Sequence, residues 1–256
     1  MGKVTLPLLK AAKGKEKISM VTCYDFTFAK LVEKAGIETI LVGDSLGNVI
    51  KGQPTTIGVE NWEVAYHVKA VRKGAPTPFL VADMPFGSYQ TSIEKGMENA
   101  IELMKAGAEA VKVEGGEEVA QLISKLVSFG IPVVAHVGLT PQYINKFGSF
   151  SKRGKTKEER EFIKRSAKIV EEAGADMIVL ESVPDKLAAE ITEELEIPTI
   201  GIGAGNRTDG QVLVIYDLLG MDRDFNPSFL KKYCDLDNMI SKALKEYLKD
   251  VKDAKK

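Results

Sequence analysis

The sequence predicts an α/β fold, a (β/α)8 TIM barrel, and three observations support this prediction. Short apolar runs alternate along the chain with amphipathic stretches of helical periodicity. Eight such runs can be counted. A glycine follows several predicted helices immediately before the next strand, as in Lys34-Ala-Gly36, Lys105-Ala-Gly107 and Glu172-Ala-Gly174, where it can form a left-handed cap. Repeated βα units of this kind build a parallel sheet, and eight of them close into a barrel.

The predicted strands are continuous apolar runs, which indicates that both faces of each strand are covered. In chain order they occupy residues 18–24, 39–43, 79–83, 110–114, 132–137, 177–181, 199–203 and 212–215. The amphipathic stretches between them predict helices, which include 26–35, 61–72, 93–106, 117–129, 157–173 and 185–195.

No Pro-rich or Gly/Ser-rich linker divides the chain, so we predict a single barrel domain over residues 1–256 with extra helical segments at both ends. The charged tail, 228–256, carries apolar residues at helical spacing, which favours a helix packed on the barrel or on a neighbouring subunit. Two connections, 46–60 and 138–156, are too long for simple turns. Long loops on this face of a barrel are usually lids or binding loops.

Composition favours a small-molecule partner. The net charge is -1 and 44% of residues are hydrophobic, so no global basic field favours nucleic acid or an anionic membrane. No apolar stretch approaches about 18 residues, and Lys3, Lys10, Lys13 and Lys15 interrupt the N-terminal region where a signal peptide needs its apolar segment. The two cysteines suggest no disulfide framework. We therefore expect a cytoplasmic protein.

Five of the apolar runs end on or beside an ionisable residue. These residues are Asp44, Asp83, Glu114, His136 and Glu181. A buried unpaired charge is costly, so charges rarely follow buried strands without a reason. Because the C-terminal ends of barrel strands converge on one face, residues scattered through the sequence would meet there in one pocket. A functional site is the simplest explanation.

The carboxylates predict a cation site. Asp44 and Asp83 are hard oxygen ligands, and Glu114 is a third carboxylate nearby. This combination suits Mg²⁺ with several positions left for water and substrate. The alternative is that each carboxylate pairs with a lysine or arginine of the barrel, because ion pairs also occupy barrel mouths.

The remaining strand-end residues predict substrate binding and proton transfer. Lys112 precedes Glu114 by two residues and points the same way, where it can hold a carboxylate or oxyanion; a Schiff base is the competing role. Glu181 lies across the predicted barrel from the metal site and is suited to act as a general base. His136 can donate to a substrate oxygen, bind the metal or serve a structural role. His67, inside a predicted helix, is expected to be structural.

Two further segments leave alternatives open. The run Gly201-Ile-Gly203-Ala-Gly205 does not match the dinucleotide spacing Gly-x-Gly-x-x-Gly, so its glycines are expected to line the pocket. The loop after the fifth strand is basic, which indicates either a solvated surface or a site for an anionic substrate tail. Its cations are Lys146, Lys152, Arg153, Lys155 and Lys157.

Several phrases resemble the ketopantoate hydroxymethyltransferase family. They are Val42-Gly-Asp-Ser-Leu-Gly47, Val81-Ala-Asp-Met-Pro-Phe-Gly-Ser-Tyr-Gln90, Val111-Lys-Val-Glu-Gly-Gly116, His136-Val-Gly-Leu-Thr-Pro-Gln142 and Ile200-Gly-Ile-Gly-Ala-Gly205. The resemblance implies transfer of a hydroxymethyl group from 5,10-methylenetetrahydrofolate to 3-methyl-2-oxobutanoate, which gives 2-dehydropantoate in pantothenate biosynthesis. It also implies a Mg²⁺-stabilised enolate and a homo-oligomer, specifically a decamer.

The resemblance also assigns roles to residues. Asp44 and Asp83 resemble the metal ligands, Glu114 is either a further ligand or a partner of the ligands, and Glu181 is the proton acceptor. The substrate-binding residues that we predict are Asp44, Ser45, Asp83, Lys112 and His136. The chain departs from the family pattern at two places. Ser182 stands where many members are expected to have Cys, and Ile215-Tyr216 replaces an expected Trp-His.

Two other functions remain open at this point. The first is another Mg²⁺-dependent 2-oxo acid lyase or mutase of the phosphoenolpyruvate mutase and isocitrate lyase kind, which would share an enolate-stabilising metal site. The second is a non-catalytic barrel that acts as a binding or scaffold protein. Consumption of methylenetetrahydrofolate separates the first from the favoured reaction, and the presence of Asp44, Asp83 and Glu181 argues against the second.

Overall fold

In the computed structural model, which describes residues 2–223, 225–227 and 229–254, eight parallel strands form a closed barrel in sequential order. The strands are β1 Ile18–Thr22, β2 Thr39–Val42, β3 Phe79–Asp83, β4 Ala110–Glu114, β5 Val133–Gly138, β6 Met177–Glu181, β7 Thr199–Ile202 and β8 Gly210–Leu213. The predicted α/β barrel is confirmed.

Helices connect the strands and extend the chain at both ends. They are α1 Leu6–Ala12, α2 Phe26–Ala35, α3 Leu46–Val49, α4 Asn61–Gly74, α5 Ile93–Ala106, α6 Ala120–Ser128, α7 Ile144–Phe147, α8 Lys157–Glu172, α9 Asp185–Glu194, α10 Ile215–Leu218 and α11 Leu236–Asp253. Gly36 and Gly107 cap α2 and α5 in the left-handed conformation, as predicted, with φ of 78° and 119°. The two long loops contain the short helices α3 and α7, which the sequence did not predict.

The prediction for the last strand was wrong by two residues. The sequence predicted 212–215, whereas β8 begins at Gly210 and Ile215 begins α10. The register with β7 pairs Ile200 with Gly210. A Cβ atom at Gly210 would lie 2.5 Å from the carbonyl oxygen of Ile18, so β1 approaches too closely for any side chain there. Barrel closure therefore sets the start of this strand. The first residues of the strand do not belong to an apolar run, so the sequence pattern did not predict them.

Inward-facing apolar side chains fill the barrel, and α1 covers its N-terminal end. The core cluster contains Leu9, Ile18, Met20, Leu41, Phe79, Val81, Ala110, Val134, Met177, Val179, Ile200 and Val212. Leu9 of α1 is only 2% exposed and belongs to this cluster, and Val4, Leu6 and Ala12 pack against it. Burial of these residues is the main stabilising contribution to the barrel. The polar side chains described below lie at the C-terminal strand ends, beyond this apolar cluster.

A repeated carboxylate contact holds the N-terminal ends of the strands together. One acidic residue directly precedes each even-numbered strand and accepts a backbone N–H from the odd-numbered strand before it. The contacts are Ser19 N to Glu38 at 2.9 Å, Leu80 N to Glu109 at 3.1 Å, Val133 N to Asp176 at 3.1 Å and Thr199 N to Asp209 at 2.9 Å.

The N-terminal lysines bind three of these four carboxylates. Lys3 lies 2.6 Å from Glu109, Lys10 lies 3.1 Å from Asp176 and Lys13 lies 2.9 Å from Asp209. The lysines that argued against a signal peptide thus fix the N-terminal segment to the barrel. Each of the three lysines lies opposite the carboxylate before a different strand, and no local sequence pattern shows this match.

Replacing Asp209 by Asn should destabilise the fold by about 2 to 4 kcal/mol at pH 7, because the buried carboxylate pairs with Lys13 and accepts both the N–H and the hydroxyl of Thr199. Burial opposes ionisation, but these hydrogen bonds and Lys13 outweigh it and lower the pKa of Asp209. The stabilisation is therefore fully present above the unfolded pKa of about 3.9 and is lost as the pH falls through the lower folded pKa.

Urea denaturation of the native chain and the variant at pH 7 and at about pH 3 measures this difference. Asp185→Asn is the matched control, because Asp185 is 52% exposed in its pair with Arg207 and should contribute less than about 1 kcal/mol. A destabilisation by Asp209→Asn that is equally large at both pH values would contradict the role given to the ionised carboxylate.

By packing, the chain divides into two units, one up to Val212 and one from Leu213 onward. In the second unit, the N–H groups of Tyr233 and Leu236 bind the carbonyl oxygens that end α10, Leu218 and Leu219. The predicted tail helix is present as α11, while residues 228, 255 and 256 of that prediction lie outside the described residues. The single domain over 1–256 stays a prediction.

None of the helices in the described ranges is long and apolar enough to cross a membrane.

Candidate active site

The strand ends bring all five predicted ionisable residues to one rim of the barrel. Asp83, Glu114 and Glu181 are the last residues of β3, β4 and β6, and His136 lies in β5. Asp44 follows β2 by two residues. The register places Asp83 beside Lys112 and Glu114 beside His136 on neighbouring strands. This is the arrangement that the strand-end pattern predicted.

At one end of the rim, carboxylates surround a single ammonium group. The backbone N–H of Asp44 donates to Asp83 Oδ2 at 2.9 Å. Lys112 Nζ lies 2.8 Å from Asp83 Oδ1 and 3.6 Å from Glu114 Oε1. Asp83 and Glu114 are therefore both paired with a lysine of the barrel, which was the alternative to a cation site. Asp44 instead receives a hydrogen bond from Gln142 Nε2 at 3.0 Å.

At the other end, an imidazole connects two carboxylates. His136 Nδ1 lies 3.3 Å from Glu114 Oε1, and Nε2 lies 3.4 Å from Glu181 Oε2. Side-chain contacts therefore run from Asp83 through Lys112, Glu114 and His136 to Glu181, and the backbone N–H of Asp44 joins this line at Asp83. Asp44, Asp83, Glu114 and His136 are buried, whereas the Glu181 side chain is 21% exposed. Glu181 is thus the member most accessible to a bound molecule.

Lys112 is held as a cation. Burial opposes its charge, but Asp83, Glu114 and Asp44 outweigh burial and raise the pKa of the ammonium group above its usual value. A Schiff-base lysine needs a free amine near neutral pH. The surroundings of Lys112 therefore favour the binding of an oxyanion over a covalent role.

His136 is also held in its charged form. Burial and Lys112 lower the pKa of the imidazole, but Glu114 and Glu181 outweigh them and raise it to about 9. Lys112 Nζ lies 3.2 Å from Nδ1, and the shared neighbour Glu114 offsets the repulsion between the two cations. An imidazolium has two N–H donors and no free lone pair, so His136 suits hydrogen-bond donation better than metal ligation.

Negative charge is in excess around Asp44. Burial, and then the neighbouring carboxylates of Asp83 and Glu114, raise the pKa of Asp44 well above its usual value. Glu114 differs, because His136 and Lys112 outweigh its burial and lower its pKa. The two carboxylates therefore have different electrostatic surroundings, and Lys112 offsets the negative charge at Asp44 only in part.

The Asp44 end has the chemistry of a cation site. Asp83 Oδ1 is buried and has no hydrogen bond of acceptable geometry, even though Lys112 Nζ is within ion-pair distance. Among the described residues, no three side chains of His, Cys, Asp or Glu converge as a ligand set. Glu114 instead contacts Lys112 and His136. The residues fit a cation held by two carboxylates, with its other positions left to water and substrate. The three-carboxylate set stays a prediction.

The sequence pattern did not predict Gln142 and Tyr89 at the rim, and it predicted no partner for Ser45. The hydroxyl groups of Ser45 and Tyr24 lie 2.8 Å apart, which holds Ser45 at the start of α3. Gln142 and Tyr89 are buried and hydrogen-bonded to each other at 2.7 Å. Neither carries a charge at neutral pH, so the search for strand-end charges did not find them. Their presence in the phrases that resemble the family was the only available signal.

His67 and the basic loop also have defined surroundings. His67 Nδ1 contacts the carbonyl oxygen of Tyr24, a structural contact as expected. A small cavity lies beside the ends of β4 and β5. Its wall includes Tyr143, Phe147 and Arg153, with the guanidinium 4.5 Å from the Phe147 ring centroid. Lys146 also lines this cavity, whereas the side chains at 152, 155 and 157 are exposed.

A closed parallel barrel with ionised groups lined up at its C-terminal strand ends defines a (β/α)8-barrel enzyme. The family model described as ketopantoate hydroxymethyltransferase matches residues 3–255. A 3-methyl-2-oxobutanoate hydroxymethyltransferase of Thermotoga sp. (strain RQ2) is 56% identical over 245 residues, which covers 96% of this chain and 91% of the relative. The chain belongs to the ketopantoate hydroxymethyltransferase family and is a transferase.

Solved structures support the fold. A phosphoenolpyruvate phosphomutase from Streptomyces platensis subsp. rosaceus has a TM-score of 0.66 and 14% identity, covering 100% of this chain and 89% of that one. A phosphonopyruvate hydrolase complexed with oxalate and Mg²⁺ has a TM-score of 0.64 and 14% identity, covering 100% of both chains. At this identity the likeness shows the barrel architecture alone. It does not favour the mutase or lyase activity over the transferase.

Proposed function

We propose that the chain transfers a hydroxymethyl group from 5,10-methylenetetrahydrofolate to 3-methyl-2-oxobutanoate and so forms 2-dehydropantoate. Family membership supports this reaction. The observation that carries the proposal is the line of contacts from Asp83 to Glu181, joined by Asp44 at Asp83, which combines a cation-binding end with an accessible carboxylate. Deprotonation next to a keto group requires both features, because negative charge develops on the keto oxygen as the proton leaves carbon.

Asp44 and Asp83 would hold Mg²⁺ at the rim. The phosphonopyruvate hydrolase that shares the fold was solved with Mg²⁺ and oxalate. Oxalate has adjacent oxygen-bearing carbons, as does the keto-acid part of 3-methyl-2-oxobutanoate. Bound at this position, Mg²⁺ would supply electrostatic stabilisation of negative charge on the keto oxygen. Glu114 would act on the site through its contacts with Lys112 and His136.

The chain's own residues bind and deprotonate the substrate. Lys112 and His136 present an ammonium and an imidazolium group to the substrate oxygens, and Ser45 offers a hydroxyl group. Glu181 accepts the proton from C3, and His136 Nε2 lies 3.4 Å from Glu181 Oε2. The electron pair left at C3 forms the new bond to the one-carbon unit, both C–N bonds between that unit and the folate break, and water supplies the hydroxyl oxygen. The C3 proton and the two water protons end on the new hydroxyl group and on the two nitrogens of the released tetrahydrofolate.

The donor assignment has support next to the site. The cavity beside the ends of β4 and β5 has flat aromatic walls with nearby cations. Such walls suit a ring system with an anionic tail, which is the chemistry of a folate. The cavity borders Gly115, which directly follows Glu114, and Gly138, which ends β5 two residues after His136.

Two assays together test the proposed function. The first follows exchange of the C3 hydrogen of 3-methyl-2-oxobutanoate with deuterated water by NMR in the presence of Mg²⁺. The second follows consumption of methylenetetrahydrofolate and formation of 2-dehydropantoate. We expect both. Exchange without folate consumption would favour a lyase or mutase that acts on 2-oxo acids, and the absence of both would favour a non-catalytic barrel.

We further propose that the enzyme works in the cytoplasm as a homo-oligomer, specifically a decamer. Both cysteines are free, which supports a reducing compartment. Helix α11 has no buried residues and exposes a stripe of large apolar side chains, which supports a contact with another copy. The stripe comprises Met239, Ile240, Leu244, Tyr247, Leu248 and Val251.

Replacing Leu244 and Leu248 together by Glu should dissociate this oligomer, because two charges would have to be buried in its contact. Multi-angle light scattering coupled to size-exclusion chromatography measures the mass. Lys245→Glu, a change outside the stripe on the same helix, is the control and should leave the mass unchanged. A native chain that runs as a 27.9 kDa monomer would refute the proposal.

A further inference from the structure

We propose that Gln142 is a positioning residue that sets the Mg²⁺ affinity of the site by holding the Asp44 carboxylate. Gln142 is 3% exposed and follows β5 on the long loop. Its amide nitrogen donates to Asp44 Oδ2 and to the carbonyl oxygen of Met84, each at 3.0 Å. This inference rests on the proposed function, since it assumes that Asp44 binds the cation.

The orientation of the Gln142 amide is determined by its partners. Tyr89 OH donates to Gln142 Oε1 at 2.7 Å, and Gln90 Nε2 donates to it at 3.2 Å. Exchanging the amide oxygen and nitrogen would place an oxygen against two acceptors, Asp44 Oδ2 and the Met84 carbonyl group. Rotation of the amide would leave buried polar groups without partners, at a cost of about 1 to 3 kcal/mol each. The donor group therefore stays aimed at Asp44.

The backbone of Gln142 orders a second carboxylate. Its N–H donates to Glu114 Oε2 at 3.0 Å, which leaves Glu114 Oε1 towards Lys112 and His136. One residue from the loop after β5 thus contacts groups that follow or end β2, β3 and β4. Because Oδ2 of Asp44 is engaged by the amide, Oδ1 is the oxygen left for a cation.

A neutral amide is well suited to this task. The carboxylates of Asp44 and Asp83 repel each other, so each needs an external contact to keep its orientation before a cation binds. A lysine in place of Gln142 would supply that contact but would also neutralise the charge that attracts Mg²⁺. The amide orients Asp44 without adding a cation beside it, which is the expected action of a residue that supports a metal ligand.

Replacing Gln142 by Met, which has a similar length but donates no hydrogen bond, should raise the Mg²⁺ dissociation constant roughly 10- to 100-fold. Titration calorimetry with Mg²⁺ alone, without substrates, measures this constant. At saturating Mg²⁺, kcat should largely recover, and the KM for 3-methyl-2-oxobutanoate should change less than about threefold. Gln121→Met is the matched control. Gln121 is an exposed glutamine of α6, so this change should leave the Mg²⁺ affinity unchanged.

A merely structural Gln142 would give the opposite result. In that case the Met variant would lose thermal stability or kcat while binding Mg²⁺ with native affinity, and the inference would be overturned. If the Met variant does not fold, Gln142→Asn decides, because its shorter amide cannot reach Asp44 and should weaken Mg²⁺ binding similarly. Asp44→Asn separates the two proposals. If it leaves Mg²⁺ affinity intact, the metal assignment fails; if it weakens binding and Gln142→Met does not, only this inference fails.

Discussion

Replacement of Asp83 by Asn should lower turnover by roughly 10³-fold while the barrel stays folded. The variant keeps the shape of the side chain but removes the charge that faces Lys112 at 2.8 Å and, in the proposed site, the cation. The site then loses one of two cation ligands and the main partner of its oxyanion-binding lysine. Steady-state kinetics over a range of Mg²⁺ concentrations measure the loss.

Asn tests the charge of Asp83 more specifically than Ala does. Asp83 is buried and accepts the N–H of Asp44, so truncation to Ala would leave Lys112 Nζ and that N–H with fewer partners inside the barrel. Asp176→Asn is the control, because this carboxylate lies at the opposite ends of the strands and should not affect turnover. Undiminished Mg²⁺-dependent turnover in Asp83→Asn would contradict the metal assignment.

Replacement of Glu181 by Gln should abolish exchange of the C3 hydrogen and lower kcat by about 10²- to 10⁴-fold, the usual contribution of a general base. Affinity for 3-methyl-2-oxobutanoate should persist, because Lys112 and the cation end of the rim are untouched. Proton NMR in deuterated water measures exchange without depending on the folate.

The surface variant Glu193→Gln should exchange at the native rate and serves as the control. If Glu181→Gln itself exchanged at that rate, another group must be the base, and His136 would be the first candidate. In that variant Glu114 is the carboxylate that still lies beside the His136 imidazole, at 3.3 Å.

Local patterns were sufficient for most of the fold. The apolar runs and the glycine caps at Gly36 and Gly107 predicted the first residue of seven of the eight strands to within one position. They missed the start of β8, because Gly210 has weak strand propensity and is placed in the barrel by pairing with β7 and by the close approach of β1. The match between the N-terminal lysines and the carboxylates before the strands was equally invisible in the sequence, since it joins residues far apart along the chain.

The sequence by itself determined the fold class, the family and the set of ionisable strand ends. It could do so because the order of apolar runs specifies which residues end the strands, and parallel strands must bring those ends to one face. Only the tertiary structure decided which group pairs with which: Lys112 between two carboxylates, His136 charged between Glu114 and Glu181, and Gln142 against Asp44. Electrostatic and hydrogen-bond energies inside a protein change steeply over a few ångströms, and such distances are set by packing, which a linear pattern does not contain.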